Sequence, residues 1–435
     1  MSPASASRRE ARYGRPAGGL NTLILIGALA GAGAGLALAA YGVTTPLAEA
    51  VLYAAKLVGT LFLDLLRMVL VPLVFASIVC GVASLGAHQR MQRVWRWTLG
   101  FFVASMLLSV AIGLTAANVF RPGEGMQLAM FAEATQNHQA QQLPFADYFA
   151  RFLHGIFQNP FAALAQGDIL AVVTVALVFG IALAGGGGRY PHLRRSMEEL
   201  QQLALLVVGW IMWLAPLGVG ALLLRLVATQ DSGVLVSLAH FIAVVVGATL
   251  FHGVLVLPLL LYAVTGMTPW RFWHGARDAL VMAFATSSSA ATMPVALRCV
   301  SENLGVRREV GNFVIPLGAT LNSDGTALYE GAAALFIARL AGIDLDLGAQ
   351  LVIVFVAMLG AVGAPGIPSV GMLSMVLVLQ SVGLPTEAIA LLLPIDRILD
   401  TVRTAVNVEG DMIGSMVVDR LALAPVGDES RRTDA

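Results

Sequence analysis

DRILDTVRTAVNVEGD, residues Asp396 to Asp411, lies in a hydrophobic C-terminal stretch and sets carboxylates, an arginine and an asparagine at helical spacing. At about 100° per helical residue, Asp396, Asp400, Arg403, Asn407 and Asp411 fall within roughly an 80° arc and form one polar stripe. Charged groups at membrane depth cost several kcal/mol each, so chains keep them where they pair, bind ions or line a water-filled site. The stripe predicts a binding site for charged solutes.

Composition makes membrane depth the right setting. The chain has 435 residues, 58% hydrophobic and 12% charged, with mean hydropathy +0.81, too apolar and too poor in charge for a soluble protein. Formal net charge is zero, which indicates neither nucleic acid nor an anionic membrane surface as a partner. The lipid bilayer is the expected surrounding. Cys80 and Cys299 give no disulfide framework and no CxxC metal site. No cofactor is expected: the seven histidines show no HExxH pattern, there is no Walker-type phosphate loop, and the GGGG run at 185–188 reads as a flexible loop. His240 and His252 read as packing or interface residues. No nucleophile and base stand together as a pair, so the chain is not expected to be an enzyme.

The first apolar run, Leu20 to Tyr41, follows a leader with Arg8, Arg9, Arg12 and Arg15. It is longer than a signal-peptide core and lacks a clear cleavage site, which predicts a retained first helix behind a cytoplasmic tail, 1–19. Further spans are predicted at about 51–86, 95–120, 168–187, 199–228 and 234–264. Arg90, Arg93 and Arg96 place one connection inside, and Arg189, Arg194 and Arg195 place another there. The connection 121–167, richer in Gln, Asn and acidic residues, suits the outside; the tail 420–435, with Arg431 and Arg432, returns inside. Both termini are therefore expected in the cytoplasm of a multi-pass protein, in the inner membrane of a prokaryote. Asp64 and Arg67, one turn apart, read as a local ion pair or interfacial anchor.

After Trp270 the apolar segments are interrupted. Residues 286–294 read TSSSAATMP and 360–371 read GAVGAPGIPSVG, neither a good uninterrupted span. Non-helical backbone at membrane depth survives only where it is buried in protein or lines a cavity. Two such segments, each before a longer helix, suggest paired re-entrant hairpins of a transporter with inverted repeats. Between them, GATLNSDGTALYE at 318–330 puts Asn322, Asp324 and Thr326 where one regular helix face cannot hold all of them. Local unwinding over Gly318 to Gly325 would free carbonyls, which with Asp324 and Asp411 make hard oxygen ligands suited to Na⁺.

The chain resembles the glutamate transporter family, the dicarboxylate/amino acid:cation symporters, from about Leu20 to Asp419. SSSAATMP at 287–294, NSDGT at 322–326, GAPGIP at 363–368 and the 396–411 run carry the resemblance, with LLRMVLVPLVFASIVCG at 65–81, FRPG at 120–123 and APLGV at 215–219 in support. It implies an all-α polytopic membrane protein of eight transmembrane helices plus two re-entrant helical hairpins, built as inverted repeats, assembled as a homotrimer and working as an elevator. The transporter would occupy 20–419, with scaffold helices in about 20–86 and 168–228 and transport-domain segments in about 95–120 and 234–418. Hairpin one would span about 273–298 and hairpin two about 347–381.

The resemblance also implies roles. Arg403 would hold the substrate's side-chain carboxylate with Asp396 as its orienting partner, and Asp400 would bind the substrate ammonium. Asn407 and Ser289, beside Ser288, would meet the α-carboxylate; Thr326, Thr404, Ile367 and Gly371 would line the same pocket. Asn322, Asp324, Asn407 and Asp411, with Gly318, Thr320 and Ser105, resemble the Na⁺ ligands, and Phe102, Met106, Ser323 and Ala364 predict fewer or weaker sodium sites. Glu330, a carboxyl at membrane depth, is a candidate proton carrier. The function expected is Na⁺-driven, H⁺-linked symport of aspartate or glutamate. A C4-dicarboxylate symporter is the alternative within transport, and an anion channel the alternative outside it.

Overall fold

In a computed structural model, residues 17–84, 92–126, 157–166, 169–186, 188–229, 232–361 and 371–422 are described. Ile367, Ala364 and the GAPGIP run lie outside them. Among the described residues the chain is helical: α1 Ala17–Tyr41, α2 Pro46–Ser84, α3 Gln92–Phe120, α4 Pro160–Gln166, α5 Ile169–Gly185, α6 Pro191–Met212, α7 Ala215–Thr229 and α8 Ser232–Phe251. Then follow α9 Leu257–Thr265, α10 Pro269–Thr286, α11 Ser289–Arg298, α12 Arg308–Leu321, α13 Asp324–Leu340, α14 Leu347–Ala361, α15 Gly371–Ser381 and α16 Ile389–Ala422. Short π-helical turns, His252–Val256 and Cys299–Asn303, join α8 to α9 and follow α11.

Among the described residues, four helical stretches are long and apolar enough to cross a membrane, and a fifth if α6 and α7, bent by 55°, count as one span. The predicted span 199–228 is that bent pair, broken just before Pro216. The segments after Pro269 are short, or carry charge inside them, so apolarity alone does not identify them as spans.

The chain divides into two compact units, Met1–Leu66 with Val207–Asp231, and Arg67–Leu206 with Ser232–Ala435. The first is held by α1 against α7. Gly27, Gly31 and Gly35, four residues apart, share a helix face. A Cβ on Gly27 would overlap the Pro216 carbonyl, one on Gly31 the Gly220 carbonyl, and one on Gly35 would lie 2.6 Å from the Leu224 carbonyl oxygen. Glycine lets these backbones touch, as small residues do where apolar lipid gives helices no hydrophobic reason to associate.

In the second unit α13 is buried along nearly its whole length and packs against α3, α8, α14, α15 and α16. A helix buried on every side is the centre of its unit. α16 runs beside it, with α10 and α12 also packed on it. Phe102, Phe272, Val310, Val314, Met412 and Ile413 belong to one apolar core cluster within this unit.

Candidate functional site

Two breaks in helical backbone frame the site. At the first, Ser287 takes a left-handed conformation (φ 50°) that ends α10, its N–H donating to the Ala283 carbonyl at 2.8 Å. Ser288 then caps α11, its hydroxyl accepting from the Ala291 N–H at 3.2 Å. Ser288 and Ser289 are buried at this turn, and α11 packs against α16. The second break separates α12 from α13. It is confined to Asn322 and Ser323, narrower than the unwinding expected over 318–325. The Gly318 carbonyl still accepts from the Asn322 N–H at 2.8 Å, and the Ser323 carbonyl already accepts from the Ala327 N–H at 2.9 Å, so helical bonding resumes at once.

Oxygen-bearing side chains converge on this second break. Asn322 Nδ2 donates to Asp411 Oδ1 at 3.2 Å. Asp324 Oδ2 accepts from Ser105 Oγ at 2.5 Å and lies 3.4 Å from His252 Nε2. Ser109 Oγ donates to the Asp324 carbonyl at 2.5 Å, and the Gly325 N–H donates to Asn407 Oδ1 at 2.8 Å. A Cβ on Gly318 would overlap the Asp411 carboxylate, and one on Gly410 would lie 2.8 Å from both Asn322 Nδ2 and Asp324 Oδ2, so two glycines open the room these groups fill. Asn322 Oδ1 and Asp324 Oδ1 are buried and have no hydrogen-bond partner among the described residues. Buried oxygens without donors fit a hard cation, whose ligands are carboxylate, amide and backbone oxygens. Thr320 is only half-buried, and its hydroxyl donates to the Leu317 carbonyl at 2.9 Å.

One turn away stands the charged triad of the stripe, Asp396, Asp400 and Arg403. Arg403 is fully buried, and its Nη2 donates to Asp396 Oδ1 at 2.8 Å and to Asp400 Oδ1 at 2.9 Å. The guanidinium carbon lies 4.1 Å from the centre of the Tyr329 ring, a cation–π contact. Among the described residues Arg403 Nε and Nη1 have no hydrogen-bond partner. Gly371, at the start of α15, has its Cβ position 2.9 Å from Thr326 Cγ2 and 3.5 Å from both terminal guanidinium nitrogens. Asn407 Nδ2 reaches Thr326 Oγ1 at 3.4 Å and so links the two clusters; Thr404 is buried beside Arg403. Asp400 is held by Arg403 and also by Arg397, Nη1 to Oδ2 at 3.5 Å.

Glu330 is fully buried one turn beyond Thr326. Ser374 of α15 donates to its Oε1, Oε2 has no hydrogen-bond partner among the described residues, and the Cβ position of Gly360 on α14 is 3.8 Å from Oε2. Glu330 thus stands between the two arms that flank 362–370.

Several neighbours were invisible in the sequence pattern. Tyr329 beneath Arg403, Ser374 on Glu330, His252 on Asp324, and the indole of Trp273 donating to the buried Glu409 at 3.0 Å all come from distant helices. His252, read as a packing residue, is buried against the acidic cluster. The π-turn at His252 was a signal only in hindsight, since such turns gather at functional positions.

A polytopic helical protein with buried carboxylates, an arginine and amide oxygens gathered at broken helices is a membrane carrier for a charged or polar solute. The comparison with known proteins agrees. A profile of the sodium:dicarboxylate symporter family matches residues 20–421, and the chain belongs to that family. It is a sodium-coupled symporter. The chain is 36% identical over 442 residues to the rabbit (Oryctolagus cuniculus) neutral amino acid transporter B(0), covering 94% of this chain and 81% of the relative. The human transporter of that name is 34% identical over 441 residues, covering 94% and 81%. Human neutral amino acid transporter A is 33% identical over 436 residues, covering 92% and 81%.

Proposed function

We propose that this protein couples the uptake of an acidic amino acid, aspartate or glutamate, to Na⁺ and H⁺ gradients. The observation that carries the reading is Arg403: fully buried, with one nitrogen bonded to Asp396 and Asp400 and with no hydrogen-bond partner for Nε and Nη1 among the described residues. A guanidinium fork suits a carboxylate because it offers parallel donors. Asp400 receives the substrate ammonium when it is released from Arg403, and Asn407, Thr326, Thr404, Ser289 and Gly371 surround the rest of the molecule. Asn322, Asp324, Asn407 and Asp411, with Ser105 and the Gly318 and Thr320 carbonyls, take Na⁺, and Glu330 carries the proton. The wider reading is eight membrane-spanning helices with two re-entrant hairpins, termini in the cytoplasm, a homotrimer, and a transport domain that moves against a scaffold.

A second reading is a neutral amino acid substrate. Asp396 and Asp400 already offset the charge of Arg403, and the relatives named above are neutral amino acid transporters. Uptake into proteoliposomes under an imposed Na⁺ gradient, with aspartate, glutamate, succinate, serine and alanine as competitors, separates the readings. Aspartate or glutamate should accumulate above equilibrium and neutral amino acids should compete poorly. Strong competition by serine alone would move the assignment to neutral substrates, succinate alone to dicarboxylates, and dissipation without accumulation to a channel.

A further inference from the structure

Where α3 and α13 end there is a polar cavity of about 560 Å³, lined by Asn118, Arg121, Glu124, Arg339, Gly342 and Asp344 among others. It is separate from the stripe on α16, none of whose residues line it. Its side chains form a chain of bonds. Arg339 Nη2 donates to Asn118 Oδ1 at 3.2 Å, Asn118 Nδ2 donates to Gln350 Oε1 at 2.8 Å, and Gln350 Nε2 donates to the Leu345 carbonyl at 3.0 Å. Arg121 Nη1 donates to Glu124 Oε1 at 2.7 Å. Arg339 Nη1 is buried and has no hydrogen-bond partner among the described residues. Arg121 holds a left-handed backbone, φ 46°, which residues other than glycine seldom adopt and which gathers at binding sites.

The lining carries both signs of charge, Arg121 and Arg339 against Glu124 and Asp344. A bare anion placed here meets two carboxylates, and a bare cation meets two guanidinium groups. A dipolar ion meets favourable partners at both ends. The C-termini of α3 and α13 add the partial negative charge of helix carbonyl ends, which favours an ammonium. Single ligand pockets commonly fall at about 300–1,000 Å³, so the volume suits a small amino acid with its water.

We propose that this cavity is a second, weaker amino-acid site, in which Arg339 and Arg121 hold the α-carboxylate and Asp344 with the helix carbonyl ends holds the ammonium. It rests on the amino-acid part of the proposed function and not on the acidic side chain. By the arginine-rich connections assigned to the inside, this end of α3 faces outward, where solute arrives.

Titration calorimetry on the purified full chain in nanodiscs tests it, with L-aspartate and L-alanine as probes in NaCl. Arg403→Ala removes the tight aspartate phase in the deep site; a weak aspartate phase should remain, and inorganic phosphate should not give it. Adding Arg339→Gln, which keeps a donor for Asn118, should weaken that phase at least tenfold, and Arg121→Gln should weaken it too. Arg339→Gln alone should leave the tight phase and the melting temperature of the wild type, which reports an intact fold. No weak phase in Arg403→Ala, or a weak phase unchanged by both arginine variants, overturns the second site. A wild type that binds alanine tightly and aspartate weakly overturns the acidic reading of the deep site and leaves this one standing.

Discussion

Glycine does opposite work in the two units. Between α1 and α7 the missing side chains of Gly27, Gly31 and Gly220 bring backbone against backbone. In the second unit the missing side chains of Gly318, Gly410 and Gly371 make room for Asp411, for Asn322 with Asp324, and for Thr326 beside Arg403. One interface uses small residues to close space and the other uses them to admit polar groups. What distinguishes them is the neighbour, so the consequence of adding a methyl group should differ in kind.

The largest effect should come from removing the charge that the second unit encloses. Truncating one member of a buried ion pair leaves its partners uncompensated and costs about 3–5 kcal/mol. Arg403→Ala should therefore lower aspartate affinity by roughly a hundredfold or more. Asp396 and Asp400, left together, should then favour cationic or neutral solutes. Uptake competition reads the result, and unchanged aspartate uptake would refute the role of Arg403.

Next come the groups that meet Gly318. Asp411→Asn removes a charge from the oxygen cluster, and Gly318→Ala drives a methyl group into the same carboxylate. Both should raise the Na⁺ concentration needed for half-maximal aspartate binding by about tenfold, and because linkage is reciprocal both should weaken substrate binding at fixed Na⁺. Binding of aspartate that is equal in sodium and choline in the wild type would break this coupling.

Gly31→Ala is the matching change in the first unit. Its methyl group meets the Gly220 carbonyl and can only push the helices apart, at about 1–3 kcal/mol for an overpacked contact. The melting temperature in detergent should fall, while the ratio of aspartate to serine affinity and the Na⁺ dependence stay as in the wild type. A selective loss of Na⁺ dependence in Gly31→Ala would erase the contrast between the two kinds of glycine.

The polar stripe and the breaks at 287–288 and 322–323 were legible because helical spacing and interrupted apolar runs are local properties. Arg397 and Glu409 were passed over because they lie off the 80° arc, yet Arg397 pairs with Asp400 and Glu409 accepts from Trp273. A stripe argument assumes that one helix face is apolar and the other polar. α16 is enclosed on nearly all sides from Arg403 to Val418, so polar partners can approach from any direction. The unwinding expected over 318–325 was overstated for a related reason. Glycine and asparagine mark where a helix can break but not how soon hydrogen bonding resumes.

The smallest effect on affinity should come from Glu330→Gln, and it sharpens the comparison by separating charge from shape. Glutamine keeps an acceptor for the Ser374 hydroxyl and fills the same space beside Gly360, so packing between α13, α14 and α15 should survive. A conserved hydrogen bond of this kind limits the change to less than about 1 kcal/mol. Substrate affinity and melting temperature should therefore stay close to those of the wild type. What glutamine cannot do is take up and release a proton. If Glu330 carries the proton, aspartate exchange in Glu330→Gln should lose its dependence on pH, and uptake should no longer acidify the liposome interior. Glu330→Asp should restore part of both responses, because it returns a titrating group that is one methylene shorter. A Glu330→Gln protein that keeps the full pH response would leave Glu330 as a structural carboxyl, joined to α15 through Ser374 and nothing more.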